Sequence, residues 1–590
     1  MAQIKNYSKV FKNNSFAYTL TLLIYFLGSM GDSHAQEIIS EEIQKTIGTR
    51  IDNGVNTGIV IGVIDGENVS YYSYGARSLN GNEPVNEKSV FEIGSISKTF
   101  TGLLLADMVL KNEVKLDDEL QKYLPQGITA PVQNGETIKL VHLANHTSSL
   151  PRMPDNFSPS NPDNPFSDYS KERLYEFLNG YEPHRDIGSE YEYSNYGVGL
   201  LGHVLASRKG KSYEELLLER ISKPLGLKET KITLSPKMRR KLAVGHSMGV
   251  EVSNWDFETL AGAGAIRSTA MDMVQFLKFN MGVDDSPLDE AMRLSHTNSR
   301  KEGAKPMVGL GWHLISADND EVVWHNGGTG GYSTFIGFIK DGKKGVVVLS
   351  NSNASIDDIG LHLLNSKSPL KEVKPSIVIK IKKTIDAEGI EKAVATYWDL
   401  KNNNAEDYNF SENELENLAY SYFTSDKLKE ALALTKLNTE AHPTSSSAFA
   451  SYADVLLKQG DSLKAIENYK KAIVIHPDNQ RAIKQLEELG INTETQVGDI
   501  KIDNSILESY VGRYELAPSF ILSVRKDGNQ IKAQATGQPE FPIYPKSENV
   551  FFLKVVEAQL TFNTDENGEV ASVTLLQGGQ EITGKRIENN

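Results

Sequence analysis

Hydrophobic positions change their period several times along the chain, and each change marks a different kind of element. Short continuous apolar runs, Gly58–Ile64 and Gly345–Leu349, read as buried strands. They bracket a long middle of helical periodicity interrupted by Gly- and Pro-rich loops. This mixture predicts an α/β (α+β) domain over residues 36–366. Two prolines set among lysines then break the pattern, and residues 367–384 read as a solvated linker. Helical periodicity returns over 385–490, where Ala419, Ala431 and His442-Pro443 recur 34 residues later as Ala453, Ala465 and His476-Pro477. That period is the tetratricopeptide (TPR) signature. The second copy adds Gly460, Tyr469 and Ala472, whereas the first has Asn438 at the position of Ala472. A further helical hairpin from Ile385 to Leu400 would complete the stack. Such repeats offer a groove for a protein partner, but an array this short reads better as a spacer or brace. From 491 to 590 the period falls to two, in segments such as Phe520–Val524, Gln559–Phe562 and Val570–Leu576 separated by Asp-Gly and Asn-Gly turns. This predicts a small antiparallel β domain with Tyr510, Tyr514, Phe541, Phe551 and Phe552 in its core.

Composition narrows the function classes. The chain has 590 residues, 39% hydrophobic and 24% charged, so it is globular and long enough for several domains. A net charge of −15 gives no basic footprint for nucleic acid. The absence of cysteine excludes disulfides, thiolate metal sites and a thiol nucleophile. Lys5, Lys9 and Lys12 precede an apolar run from Phe16 to Leu27 and then Ser33-His34-Ala35, the pattern of a cleaved signal peptide over 1–35. The run is too short to span a bilayer, so the expectation is a periplasmic or secreted protein with no membrane span after cleavage.

Three segments carry candidate chemistry. Ser95 and Lys98 stand at i, i+3 where a glycine leads into a long apolar helix, so a neutral Lys98 amine can take the Ser95 proton. The same spacing at Ser368–Lys371 and Ser523–Lys526 lacks that setting. Tyr193-Ser194-Asn195 offers a phenol for proton relay and a carboxamide to position a substrate or hold the lysine. His325-Asn326-Gly327-Gly328 is a glycine-dense stretch that lets backbone pass close to a ligand, with His325 to donate to a carboxylate or assist proton transfer. His142 and His146 stand at i, i+4, but Leu143 occupies the place of the glutamate in a zinc-hydrolase helix, so no metal is expected.

In this order, Ser95-Ile-Ser-Lys98, Tyr193-Ser-Asn195 and His325-Asn-Gly327 resemble the active-site triplet of the penicillin-recognising serine hydrolases. Their class C β-lactamase-related branch is the most similar, with His142–Pro151 as a supporting segment. The tail, with Tyr510–Tyr514 and Gln534–Gln538, resembles a domain often appended to such enzymes. The resemblance implies a central antiparallel sheet beside a helical lobe, and no metal or organic cofactor. It implies Ser95 as nucleophile, Lys98 and Tyr193 as general base and acid, and Asn195 as positioner. The Ser95 and Gly328 amides would form the oxyanion hole, with Gly327 and His325 at the substrate. The substrate would be a β-lactam, a peptidoglycan-type peptide or an ester. Histidine replaces the lysine of Lys-Thr-Gly in the third motif, so a permanent cation for a substrate carboxylate is missing. This form is similar to aminopeptidase- and esterase-like relatives, which leaves open an esterase, D-aminopeptidase or D-alanyl-D-alanine carboxypeptidase with little β-lactam activity. A non-catalytic sensor or scaffold using the repeats is the alternative from another class.

Overall fold

A computed structural model describes residues 39–590 except 80, 82, 248, 301–302, 318–319, 341, 478, 492–501, 518–519, 529, 537–539, 554–555, 557, 566–567, 578–579 and 588–590. The signal-peptide reading of 1–35 lies outside the described residues. No helix among them is long and apolar enough to cross a membrane.

The first domain is built on a seven-stranded antiparallel sheet. Its order is Asn68–Gly75, Gly58–Asp65, Lys344–Ser350, Ser333–Ile339, Asp320–Gly328, His313–Ala317, Met307–Val308. Side chains alternate between two covered faces, which is why the central strands read as unbroken apolar runs. Val60, Ile64, Val347 and Leu349 join a core with the helices Ser97–Leu110 and Ala270–Asn280. Ile59, Ile61, Val346 and Val348 face Ile43 and Ile47 of Glu41–Asp52 and Ile359 and Leu363 of Asp357–Leu364. These last two helices are tied by a buried ion pair, Arg50 Nη2 to Asp358 Oδ2 at 2.6 Å. The helical lobe between the strands adds Asn195–Arg208, buried along nearly its whole length.

The segment read as linker is helical from Ile377. Ile377–Glu388 and Ile390–Asn403 form a hairpin, with Ile377, Val378 and Ile381 wholly buried. Lysines fill the solvent side of Ile377–Glu388, and apolar residues spaced for one helix face seat it against its neighbours. The hairpins Glu412–Thr424/Leu428–Ala441 and Ser446–Lys458/Ser462–Ile475 start one 34-residue period apart, and Gln480–Glu488 follows them. Gly460 and its equivalent Asp426 both take left-handed φ, +89° and +59°, at the turns. Asn438 departs from the repeat because its Nδ2 donates to Glu416 Oε2 at 3.3 Å.

Strands from Gly512–Ala517 to Gln580–Ile587 close into an eight-stranded antiparallel barrel, Arg513 pairing with Ile587. Tyr510, Tyr514 and Phe551 fill it. Phe552 turns outward against the His476 ring of the helical region, 5.9 Å between centroids, and Phe541 is half-buried. Period-two patterning fixes the strands, whereas closure of the barrel is decided by pairing of the first strand with the last.

Candidate active site

Ser95 lies in a single 3-10 turn, Gly94–Ile96, that runs into the helix Ser97–Leu110. That helix is buried on all sides from Ser97 to Met108, which explains a sequence apolar beyond one stripe. Within this turn the Ile96 N–H donates to the Ile93 carbonyl at 3.2 Å. Gly94 takes φ +49°, and a Cβ there would stand 2.8 Å from both N and O of Gly328. The backbones carrying Ser95 and Gly328 therefore touch.

Gly328 ends the strand Asp320–Gly328, whose partner on one side starts only at His313, opposite Trp324. From His325 onward the strand is free of that neighbour and lies instead against the Ser95 turn. A Cβ on Gly327 would meet the Ile93 carbonyl at 2.1 Å, so no side chain fits there. Gly328 is exposed, with open space where a side chain would be.

Lys98 is fully buried. Its Nζ lies 2.9 Å from Ser95 Oγ and 2.7 Å from the Ala263 carbonyl. Burial, aided by the charge of Arg152, holds its pKa well below the lysine range. Tyr193 hydrogen-bonds Ser95, its ring centroid is 4.9 Å from Lys98 Nζ, and burial pushes its pKa up to about 12. An amine with little affinity for a proton and a phenol that keeps one thus converge on the same hydroxyl.

Asn195 begins the helix Asn195–Arg208, with Ser194 as its cap. Its amide nitrogen points to Met153 Sδ at 3.8 Å, and Ala263 takes the lysine-holding role that the sequence offered to Asn195. His325 differs from expectation more sharply. Its Nδ1 lies 2.5 Å from the Asn326 carbonyl, so Nδ1 carries the hydrogen and Nε2 presents a lone pair. Nε2 is buried without a protein partner. Burial, with His313 and Lys98 nearby, holds the ring neutral. At neutral pH this imidazole is uncharged, with Nδ1 engaged and Nε2 shielded from solvent.

Three further residues gather around Tyr193 and His325. The His313 ring stands 4.7 Å from His325, with its pKa pushed down to about 4 by burial and by Lys98. His146 stacks on Tyr193 at 4.5 Å, and its Nδ1 accepts the Ser194 N–H at 3.0 Å. His142 instead accepts the Lys139 N–H at 3.2 Å, so different backbone donors engage the two imidazoles. The guanidinium of Arg152 lies over the outer part of the site, 5.1 Å from the Tyr193 ring. His146 stood in the supporting segment His142–Pro151 and Arg152 follows it directly, while His313 had no signal.

The Beta-lactamase family model matches residues 43–364, more than half of the chain. The chain belongs to the Beta-lactamase family. It is a serine hydrolase of that family, with Ser95, Lys98 and Tyr193 in contact at the junction of sheet and helical lobe. A domain of unknown function, DUF3471, matches 499–586, which is most of the barrel region. The D-alanyl-D-alanine-carboxypeptidase/endopeptidase AmpH of Escherichia coli (strain K12) is 30% identical over 336 residues, 53% of this chain and 86% of that protein. A Beta-lactamase of the same organism is 27% identical over 374 residues, 57% of this chain and 95% of that one. Among solved structures, a Beta-Lactamase/D-Alanine Carboxypeptidase from Pseudomonas syringae is 21% identical with a TM-score of 0.49, covering 56% of this chain and 98% of that one.

Proposed function

We propose that this protein is an exported hydrolase that cleaves amide or ester bonds of D-alanyl-peptide-like substrates through an acyl-enzyme on Ser95. The observation that carries the reading is a buried Lys98 amine, 2.9 Å from Ser95 Oγ, whose other partner is a carbonyl and not a carboxylate. A lysine so placed is a base at neutral pH. Ser95 Oγ attacks the substrate carbonyl as its proton passes to Lys98 Nζ. The Ser95 and Gly328 amides stabilise the oxyanion, and the tight Gly94–Gly328 contact fixes their spacing. Tyr193, still protonated, gives its proton to the leaving group and regains one through Lys98. Asn195 and Gly327 line the acyl portion, and water then releases the product.

Burial holds His325 neutral, so the third motif supplies no cation for a substrate carboxylate. The helical hairpins are tetratricopeptide-like and serve as a brace. Lys546 of the barrel donates to the Ile475 carbonyl at 3.0 Å, and Ile379 packs over Gly54 of the catalytic domain.

Intact-mass spectrometry after exposure to a fluorophosphonate, a penicillin and a D-alanyl-D-alanine peptide tests the proposal. A single adduct on wild type, lost in Ser95→Ala, together with peptide release is expected. A wild-type protein left unlabelled by the fluorophosphonate refutes it.

A further inference from the structure

The third motif lacks a lysine, and burial holds His325 neutral, yet one permanent cation stands in the cleft. Arg152 follows the buried segment His146–Leu150, and its backbone carbonyl accepts the N–H of Asn195 at 3.0 Å and of Tyr196 at 3.3 Å. Its position is therefore tied to the strand-to-helix turn that carries Tyr193. The side chain is exposed, and its guanidinium lies 5.1 Å from the Tyr193 ring centroid. A guanidinium resting on an aromatic face keeps its planar fork ordered and its N–H edge open, the arrangement that suits bidentate binding of a carboxylate.

The other cations of this wall are already engaged. Arg300 donates to the carbonyls of Pro306 at 2.7 Å and Ser189 at 3.0 Å, and Arg185 is paired with Glu192. Among the described residues no carboxylate forms an ion pair with Arg152.

We infer that Arg152 is the substrate-carboxylate anchor of this enzyme, taking the place of the missing third-motif cation and selecting peptides that end in a free carboxylate. The inference rests on the acyl-transfer reading above and adds to it the chemistry of the substrate's end. Tyr193 bonds Ser95 directly, so the guanidinium stands within about three extended residues of the reacting carbonyl, at roughly 3.5 Å per residue. A terminal carboxylate on the leaving amino acid falls within that reach.

The test compares acetyl-D-alanyl-D-alanine with its C-terminal amide, which differ at the carboxylate alone. Calorimetric binding is measured in the Ser95→Ala background, with and without Arg152→Ala and Arg152→Lys, so recognition is read apart from turnover. Expected is tighter binding of the acid than of the amide, and a loss of about 10- to 100-fold for the acid in Arg152→Ala. The amide should change less than about twofold, and Arg152→Lys should restore part of the loss. In the active enzyme the same loss should fall on KM with kcat nearly unchanged. Equal weakening of acid and amide would make Arg152 a support for Tyr193 and overturn the inference. Equal affinity of the two peptides for the parent protein, or no measurable binding of either, also overturns it. Failure of fluorophosphonate labelling at Ser95 would sink the hydrolase reading separately, since the calorimetry does not depend on it.

Discussion

Arg50 and Lys98 are both basic side chains buried in the catalytic domain, one behind the sheet and one in front of it. Arg50 meets Asp358 at 2.6 Å and the Ser355 carbonyl at 2.9 Å, so its charge is answered and two helices are locked together. Lys98 meets a hydroxyl and a carbonyl, with no opposite charge in contact. The same expulsion of water thus makes a structural clasp in one place and a proton acceptor in the other. Whether a carboxylate stands opposite decides which. In the helical region Arg481 is also paired, with Asp454, and bonded to Ser451 at 3.1 Å, but it is exposed.

The largest effect should come from removing the buried amine. Lys98→Met is expected to lower kcat/KM by about 10³- to 10⁴-fold. Its urea midpoint should hold, because Lys98 is held neutral and an apolar residue of similar volume fills the same space. A midpoint that fell with the activity would put Lys98 in the same class as Arg50. The reverse result belongs to Asp358→Ala, which strands Arg50 and should cost about 3–5 kcal/mol of stability in urea unfolding. The folded fraction should still label at Ser95, and loss of labelling there would break the division between clasp and base.

pH separates the two regions more finely. Activity should rise as Lys98 sheds its proton, below the ordinary lysine value of about 10.4, and fall as Tyr193 ionises near about 12. A profile rising only above that ordinary lysine value would contradict a neutral Lys98. Stability has its own window. Buried His296 and His313 have folded pKa values of about 3 and about 4, below the unfolded value. The unfolded chain therefore binds more protons in acid, and the stabilisation is complete above about pH 6.5. It is lost as pH falls toward about 4, at up to about 1.4 kcal/mol per pH unit for each histidine. Urea midpoints at pH 7 and pH 5 check this, and equal midpoints would refute it.

Much of the molecule was legible beforehand. Gly58–Ile64 and Gly345–Leu349 announced strands covered on both faces, and the 34-residue recurrence announced the two hairpins from Glu412 to Ile475. The stretch 367–384 misled because prolines and lysines dominate its composition, whereas Ile377, Val378 and Ile381 decide its packing. At the site, the three motifs were legible as Ser95-Ile-Ser-Lys98, Tyr193-Ser-Asn195 and His325-Asn-Gly327, the first by its setting before an apolar helix and not by spacing alone. The acceptor state of His325 depends on a hydrogen bond to the next carbonyl, and no motif encodes a tautomer.

The sequence by itself determined what depends on neighbours along the chain: strand and helix periods, the repeat, the glycines that leave room at 94 and 327, and the Ser95–Lys98 spacing on one helix face. Tertiary structure alone decided which charges met. It set Ala263 and not Asn195 against Lys98, gathered His146 and His313 around Tyr193, and brought Arg152 to a cleft that seemed to lack a cation. The physical reason is that proton affinity and ion pairing depend on burial and on distances of a few ångströms, and these are fixed only when segments remote in sequence pack together.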